Sequence, residues 1–254
     1  ELMTDRISRL RVETREILKI AACVGSWFDL MTLSLIQNMS IDFVLSCLSG
    51  AIDEGLIVSK GQVYTFYHDR IQEAAYSLIP VEEKVRMHNR IGRLLLQNTE
   101  KKDFNEKILY IVNQMNEGKS LIHTEDERLE LARLNLTAGI KAKTSAAYRS
   151  ALHYFSTGIE LINNADSGDN GCINCWNGFY DLALSLYSDA VESAYLCTEY
   201  SEMDTYADAV LANARNIFDK IPVYESLIHK FVAQNRPLDA ISTGLDVLKI
   251  FNIR

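Results

Sequence analysis

Residues 56–70 read Leu-Ile-Val-Ser-Lys-Gly-Gln-Val-Tyr-Thr-Phe-Tyr-His-Asp-Arg, and the architecture turns on how this stretch is read. Leu56-Ile57-Val58 and Val63-Tyr64-Thr65-Phe66 are β-branched and aromatic runs on either side of a tight turn near Lys60-Gly61. That composition predicts a β-hairpin. On both sides of it the apolar spacing is helical. Upstream, Ile7, Leu10, Ile17, Ile20, Ala21 and Val24 recur at steps of three and four and predict one helix from Thr4 to Val24. Asp29 and Ser40 are N-cap residues for a second and a third helix. Downstream, Asp69 followed by Gln72 predicts a capping box opening a short helix through Ile71, Ala74, Ala75 and Leu78, which Pro80 stops. Three helices, a hairpin and a helix are the element order of a winged helix-turn-helix, assigned to residues 1–79.

Beyond Val81 the strand signal does not return. Helices are predicted at 81–97, 104–117 and 125–145, with Gly118 closing the second. Residues 80–121 read as a helical connector, and 122–254 as an irregular array of TPR-like helical hairpins. The array rests on Gly139, Ala142, Ala151, Phe155 and Gly158, where small residues let helices approach and an aromatic fills the gap. Ala190, Ala194, Tyr200 and Ala207 repeat the idea, as do Leu227, Phe231, Ala240 and Gly244. Ala151, Met203 and Ala240 align as equivalents, with an Asn-, Asp- and Gly-rich insertion at 163–174. The fold class is mainly α.

The 254 residues carry 26 Lys and Arg against 34 Asp and Glu. A net charge of −8 is the wrong sign for a chain whose main work is gripping nucleic acid. The third helix, where a DNA-reading helix would present donors, carries Asp42, Asp53 and Glu54 between Ser40 and Gly55 and no Lys, Arg, Asn or Gln. Binding of DNA is therefore not expected. No apolar run of membrane-spanning length occurs, so no membrane partner is expected either. Five cysteines, mostly in apolar helical patterns, fit a reducing cytoplasm. The opening Glu1-Leu2-Met3-Thr4 reads as a cut within a longer protein.

No complete catalytic or metal constellation is found. Gly118-Lys119-Ser120 resembles the end of a P-loop, but Asn113 stands where the first glycine belongs, so it reads as a helix end. Cys172-Ile173-Asn174-Cys175 has the spacing of half a zinc site without a second pair. The strongest candidate is His68-Asp69-Arg70, at a helix N-terminus where backbone N–H groups and the dipole favour a phosphate.

Residues 15–25, Phe28-Asp29-Leu30 and above all Tyr67 to Pro80, with the string His-Asp-Arg-x-Gln-x-Ala-Ala-Tyr, resemble one family. It is the segment following the STAND-class ATPase domain in large bacterial multi-sensor signalling kinases of the Ser/Thr kinase–ATPase–GAF–histidine kinase type. Residues 108–118, 142–161 and 223–248 are similar too. The resemblance implies a regulatory region with an upstream ATPase domain as its partner in cis and a protein partner on the helical array. Within the wider STAND class, NOD-like receptors and the apoptosome ATPase carry a Met-His-Asp motif at this junction, whose histidine touches the β-phosphate of ADP. His68 and Asp69 match it, Tyr67 replaces the methionine, and Arg70 follows. The implied roles of His68, Asp69 and Arg70 are in nucleotide sensing. No cofactor is expected within this chain, while ADP or ATP is implied for the full-length protein. The alternative is a transcription regulator whose winged helix binds DNA; a stand-alone enzyme finds no support.

Overall fold

The computed structural model describes residues 2–164 and 175–250. The chain divides into two compact units, Glu1–Ile122 and His123–Arg254.

The first unit opens with α1 (Leu2–Ser8) and α2 (Val12–Val24) rather than the single predicted helix. At Arg9 and Leu10 the amides reach back only three residues, to the Arg6 and Ile7 carbonyls, and Arg11 is extended. No Gly or Pro marks this break. It lets Ile7 bury its side chain as α1 packs on a later helix, while α2 buries Ile17, Leu18 and Ala21. Strand β1 (Trp27–Asp29) follows, then α3 (Leu30–Gln37) and α4 (Ile41–Asp53). Both predicted caps are present: Asp29 accepts from the Thr32 amide at 2.8 Å, and Ser40 from that of Phe43 at 3.3 Å.

The hairpin is β2 (Ile57–Lys60) and β3 (Val63–Phe66). Lys60 pairs with Val63, so the turn is Gly61-Gln62, one residue later than predicted. Gly61 has φ 72° at the first loop position, as a type II′ turn requires. The sheet has three antiparallel strands, not two, in the order β1-β3-β2. Phe28 pairs with Tyr64 and Ile57 with Phe66, which puts Phe28, Ile57, Tyr64 and Phe66 on one buried face. Three residues are too short a run to show alternation, which is why β1 was invisible to pattern. Helices α5 (Asp69–Ser77), α6 (Val81–Asn98) and α7 (Lys101–Glu117) complete the unit. The stretch read as a connector thus lies within the first unit, where α6 packs on α2 and α3. Gly118 has negative φ, so its role is proximity rather than a left-handed turn: an added Cβ would lie 2.6–2.7 Å from Asn89 atoms.

The second unit is built of antiparallel helical hairpins: α8 (Glu125–Thr144) with α9 (Tyr148–Asn164), α11 (Tyr180–Leu196) with α12 (Tyr200–Asn213), and α13 (Ile221–Ala233) with α14 (Pro237–Ile250). A short α10 (Cys175–Gly178) precedes α11. Each hairpin turns through three residues, 145–147, 197–199 and 234–236, and the middle one is left-handed: Ala146 at φ 58°, Thr198 at 62°, Asn235 at 57°. In each, the next amide reaches back to the helix carbonyl, Ala147 to Ala142, Glu199 to Ala194 and Arg236 to Phe231, at 2.8–2.9 Å. This is the Schellman arrangement made three times. Ala151, Met203 and Ala240, aligned from sequence, each fall five residues after the left-handed residue and are all buried. The repeat is therefore a property of the geometry as well as the pattern.

Small residues act where expected. A Cβ on Gly139 would sit 2.3–2.7 Å from Phe155 ring atoms, and one on Gly158 would sit 2.7 Å from Leu186. Gly244 differs, with 3.9 Å of room to Ile228, so no close approach requires glycine there. Left-handed backbone disfavours a β-branched residue by about 1–2 kcal/mol, while glycine loses about 0.5–1 kcal/mol in chain entropy. Thr198→Gly is therefore expected to stabilise the second unit by about 0.5–1 kcal/mol, read as a higher urea midpoint. A lower midpoint would contradict the turn's strain.

No single helix among the described residues is long and apolar enough to cross a membrane.

Candidate functional site at the strand-to-helix junction

Strand β3 hands over to α5 through Tyr67 and His68. The Tyr67 amide donates to Leu56 O at 3.0 Å, which holds the backbone while the side chain stands 71% exposed. His68, Asp69 and Arg70 are all exposed. The predicted cap is corrected here. His68, not Asp69, is the N-cap, and its Nδ1 accepts from the Arg70 amide at 3.1 Å. Asp69 is the first helical residue, where its charge complements the helix dipole. No capping box forms, because Gln72 is drawn away: its Nε2 donates to Ala22 O at 3.2 Å.

The cap has a chemical consequence. A ring whose Nδ1 accepts carries its proton on Nε2, which leaves an N–H donor for an anionic oxygen. Beside it lies a shallow depression of about 420 Å³ lined by Ala22, Asp69, Gln72, Glu73 and Tyr76. Two carboxylates border that depression, and one helix terminus does not make a phosphate cradle. The junction can contribute a single ring donor, with Arg70 adjacent, to an anion held mainly by something else.

Beneath the junction lies a polar chain that the sequence reading missed. The last four carbonyls of α2 all find donors, as a buried helix end requires. Gly25 N–H serves Ala21 O at 3.0 Å, and Gln72 serves Ala22 O. The Gln114 amide serves Cys23 O at 2.8 Å and reaches Val24 O at 3.5 Å. With its nitrogen committed there, Gln114 presents Oε1 to His88 Nδ1 at 2.7 Å. His88 therefore donates from Nδ1, and its Nε2 takes the Tyr76 hydroxyl at 3.0 Å. His88 and Gln114 are each 6% exposed. The run Tyr76–His88–Gln114 ties α5, α6 and α7 to the end of α2. Its signal was available: both residues sit on the apolar stripes of their helices, among Ile91 and Leu95 and among Ile111 and Met115. Cys23 lies in the same region, its thiol pushed up to about 12 by burial, which outweighs the opposing charge of Lys84.

The remaining motifs sit elsewhere. Gly118-Lys119-Ser120 leads from helix α7 into a short 3₁₀ turn, with no strand before it. Cys172 lies outside the described residues; Cys175 is buried and its Sγ meets Asn163 Oδ1 at 3.3 Å. Among the described residues no group of three His, Cys, Asp or Glu is placed to hold a metal ion. On α4 the exposed side chains include Ile41, Asp42, Leu45, Ser46, Ser49 and Asp53, none of them a cation.

No protein-family model matches the chain. Among curated proteins it is 26% identical, over 303 aligned residues, to hybrid signal transduction histidine kinase G of Dictyostelium discoideum, an alignment covering 98% of this chain. Among solved structures it superimposes on a signal transduction ATPase with numerous domains (STAND) protein with a tetratricopeptide repeat sensor, from Pyrococcus horikoshii, at 13% identity. That alignment covers 97% of this chain and 39% of the other, with a TM-score of 0.39. Over nearly its whole length, then, the chain is similar to a segment of a signal transduction histidine kinase, and it spans 9% of that relative.

Proposed function

We propose that this chain is a non-catalytic regulatory and protein-interaction region of a STAND-type signalling ATPase or kinase. In this reading the first unit is a winged helix folded against an upstream ATPase domain, and the second is a TPR-like array that engages a protein partner. His68, Asp69 and Arg70 face the nucleotide held by that upstream domain and report whether it is ADP or ATP. The chain by itself hydrolyses neither.

The observation that carries this reading is the place of His68: exposed at the strand-to-helix junction, with Nδ1 taken by its own helix amide, which leaves Nε2 for an anion. A ring so held pays little ordering entropy when a phosphate arrives. The polar run beneath α5 supplies the mechanical side of the proposal. Because α5 is tied through Tyr76, His88 and Gln114 to α6 and α7, a pull on its N-terminus is carried by hydrogen bonds to the rest of the unit. Similarity to a histidine kinase segment agrees with a signalling setting. DNA recognition gains nothing from the outward face of α4, which offers carboxylates, hydroxyls and apolar groups, the Phe43 ring among them.

The test uses a longer protein that includes the upstream nucleotide-binding domain. A hydrogen bond to a charged partner contributes about 1.5–3 kcal/mol, so His68→Ala is expected to weaken ADP binding by about tenfold to a hundredfold. Calorimetric titration of ADP measures this. Equal ADP affinity in both proteins would remove the sensing role.

A further inference from the structure

In the second unit α11 and α13 run side by side and leave a groove of about 570 Å³ between them. It follows α11 from Leu184 to Leu196, a length of about 18 Å at 1.5 Å per residue. An extended peptide of about five residues fills such a length. Its ends are apolar and accessible: Leu184, Phe218 and Pro222 at one, Tyr195 and Leu196 at the other. Phe218 is 69% exposed, a large ring facing water beside a concave surface. The Tyr195 ring lies 5.9 Å from that of His229, which closes the far end with a second aromatic surface.

Between these ends the groove wall is acidic. Asp189 and Glu192 contribute from α11, Asp219 from the turn before α13, and Glu225 from α13. No Lys or Arg lines it. One cation approaches from α8: Lys143 bonds Asp189 at 2.6 Å and Glu192 at 2.8 Å. Burial opposes its charge, yet these two carboxylates hold the Lys143 ammonium above its ordinary pKa, so it stays charged. Four carboxylates line the groove, Lys143 pairs with two of them and the Arg215 guanidinium lies on the Tyr180 ring beside a third, which leaves the groove negative. Asp219 is oriented by Tyr180 and by Asn216 at 2.7 Å, so that charge is held in place rather than swinging in solvent.

The geometry points to one occupant: a short peptide segment with bulky apolar residues at its ends and basic residues between them. Its aliphatic side chains would seat on Leu184, Phe218 and Leu196, and its cations would meet Asp189, Glu192 and Glu225. A second copy of this chain is the wrong partner on charge, since the whole is acidic at −8. This inference rests on the array's proposed role in partner binding and names the kind of partner.

The experiment is fluorescence anisotropy on the whole chain with two labelled peptides, one with Leu at both ends and Arg between and one with Leu at both ends and Glu between. The Arg–Leu peptide is expected to bind, with an affinity that falls as salt rises. Glu225→Lys and Ser185→Lys, both at exposed groove positions, are expected to weaken it at least tenfold while leaving the circular dichroism unchanged. Equal binding of the Glu–Leu peptide would overturn the charge argument. Binding indifferent to both substitutions would place the peptide elsewhere and overturn the groove. Either failure would leave the His68 reading standing, because ADP affinity of the longer protein is a separate measurement.

Discussion

Replacing Gln114 with leucine is expected to destabilise the first unit by about 4 kcal/mol, because two buried polar groups lose their partners at once and each orphan costs about 1–3 kcal/mol. The Cys23 carbonyl loses its donor at 2.8 Å, and the His88 Nδ1–H loses its acceptor at 2.7 Å. Water cannot substitute readily at positions 6% exposed. Leucine refills part of the volume, so the effect isolates the polar loss from cavity formation. The companion is His88→Leu with Gln114→Leu. Removing both partners is cheaper than removing one, so the double variant is expected to lose less than the sum of the singles, with the Tyr76 hydroxyl turning to solvent. Urea unfolding of the whole chain, read through Trp27 in a Trp176→Phe background, measures the first unit alone. A loss under about 1 kcal/mol for Gln114→Leu would mean the α2 carbonyls find other donors, and the link from α5 to α2 would fall with it.

The second large effect is expected at Gly139. Valine there places its Cβ 2.3–2.7 Å from three Phe155 ring atoms, inside any allowed contact. Two influences compete. Replacing a helical glycine recovers up to about 1 kcal/mol of helix propensity, whereas overpacking a fully buried site costs about 1–3 kcal/mol or more. Phe155 is completely buried, so its ring cannot swing out into solvent and the steric cost wins. A net loss of about 3 kcal/mol is expected, read through Trp176 in a Trp27→Phe background. Gly139→Ala is expected to be milder and still destabilising, and Phe155→Leu in that background should recover part of the loss. If Gly139→Ala stabilised the unit, as at an open helical site, the close approach of α8 and α9 would not be what requires glycine.

Residues 56–66 announced their hairpin because alternation and a glycine turn are local signals, and Asp29 and Ser40 announced their helices for the same reason. The register of the array was equally legible, since Ala151, Met203 and Ala240 carry the packing constraint in their own small or slender side chains. The candidate site was legible only as a place. His68, Asp69 and Arg70 could be located from the change of period, but which residue caps α5 could not, because Gln72 answers to α2 rather than to its own helix. The break at 9–11, the strand at 27–29 and the run through His88 and Gln114 have the same origin. Each is settled by a partner tens of residues away in sequence: α5 for Ile7, β3 for Phe28, the end of α2 for Gln114. Periodicity and caps are written within a few residues and can be read there. Satisfaction of buried polar groups is a balance struck across the folded unit, and only the packed structure decides it.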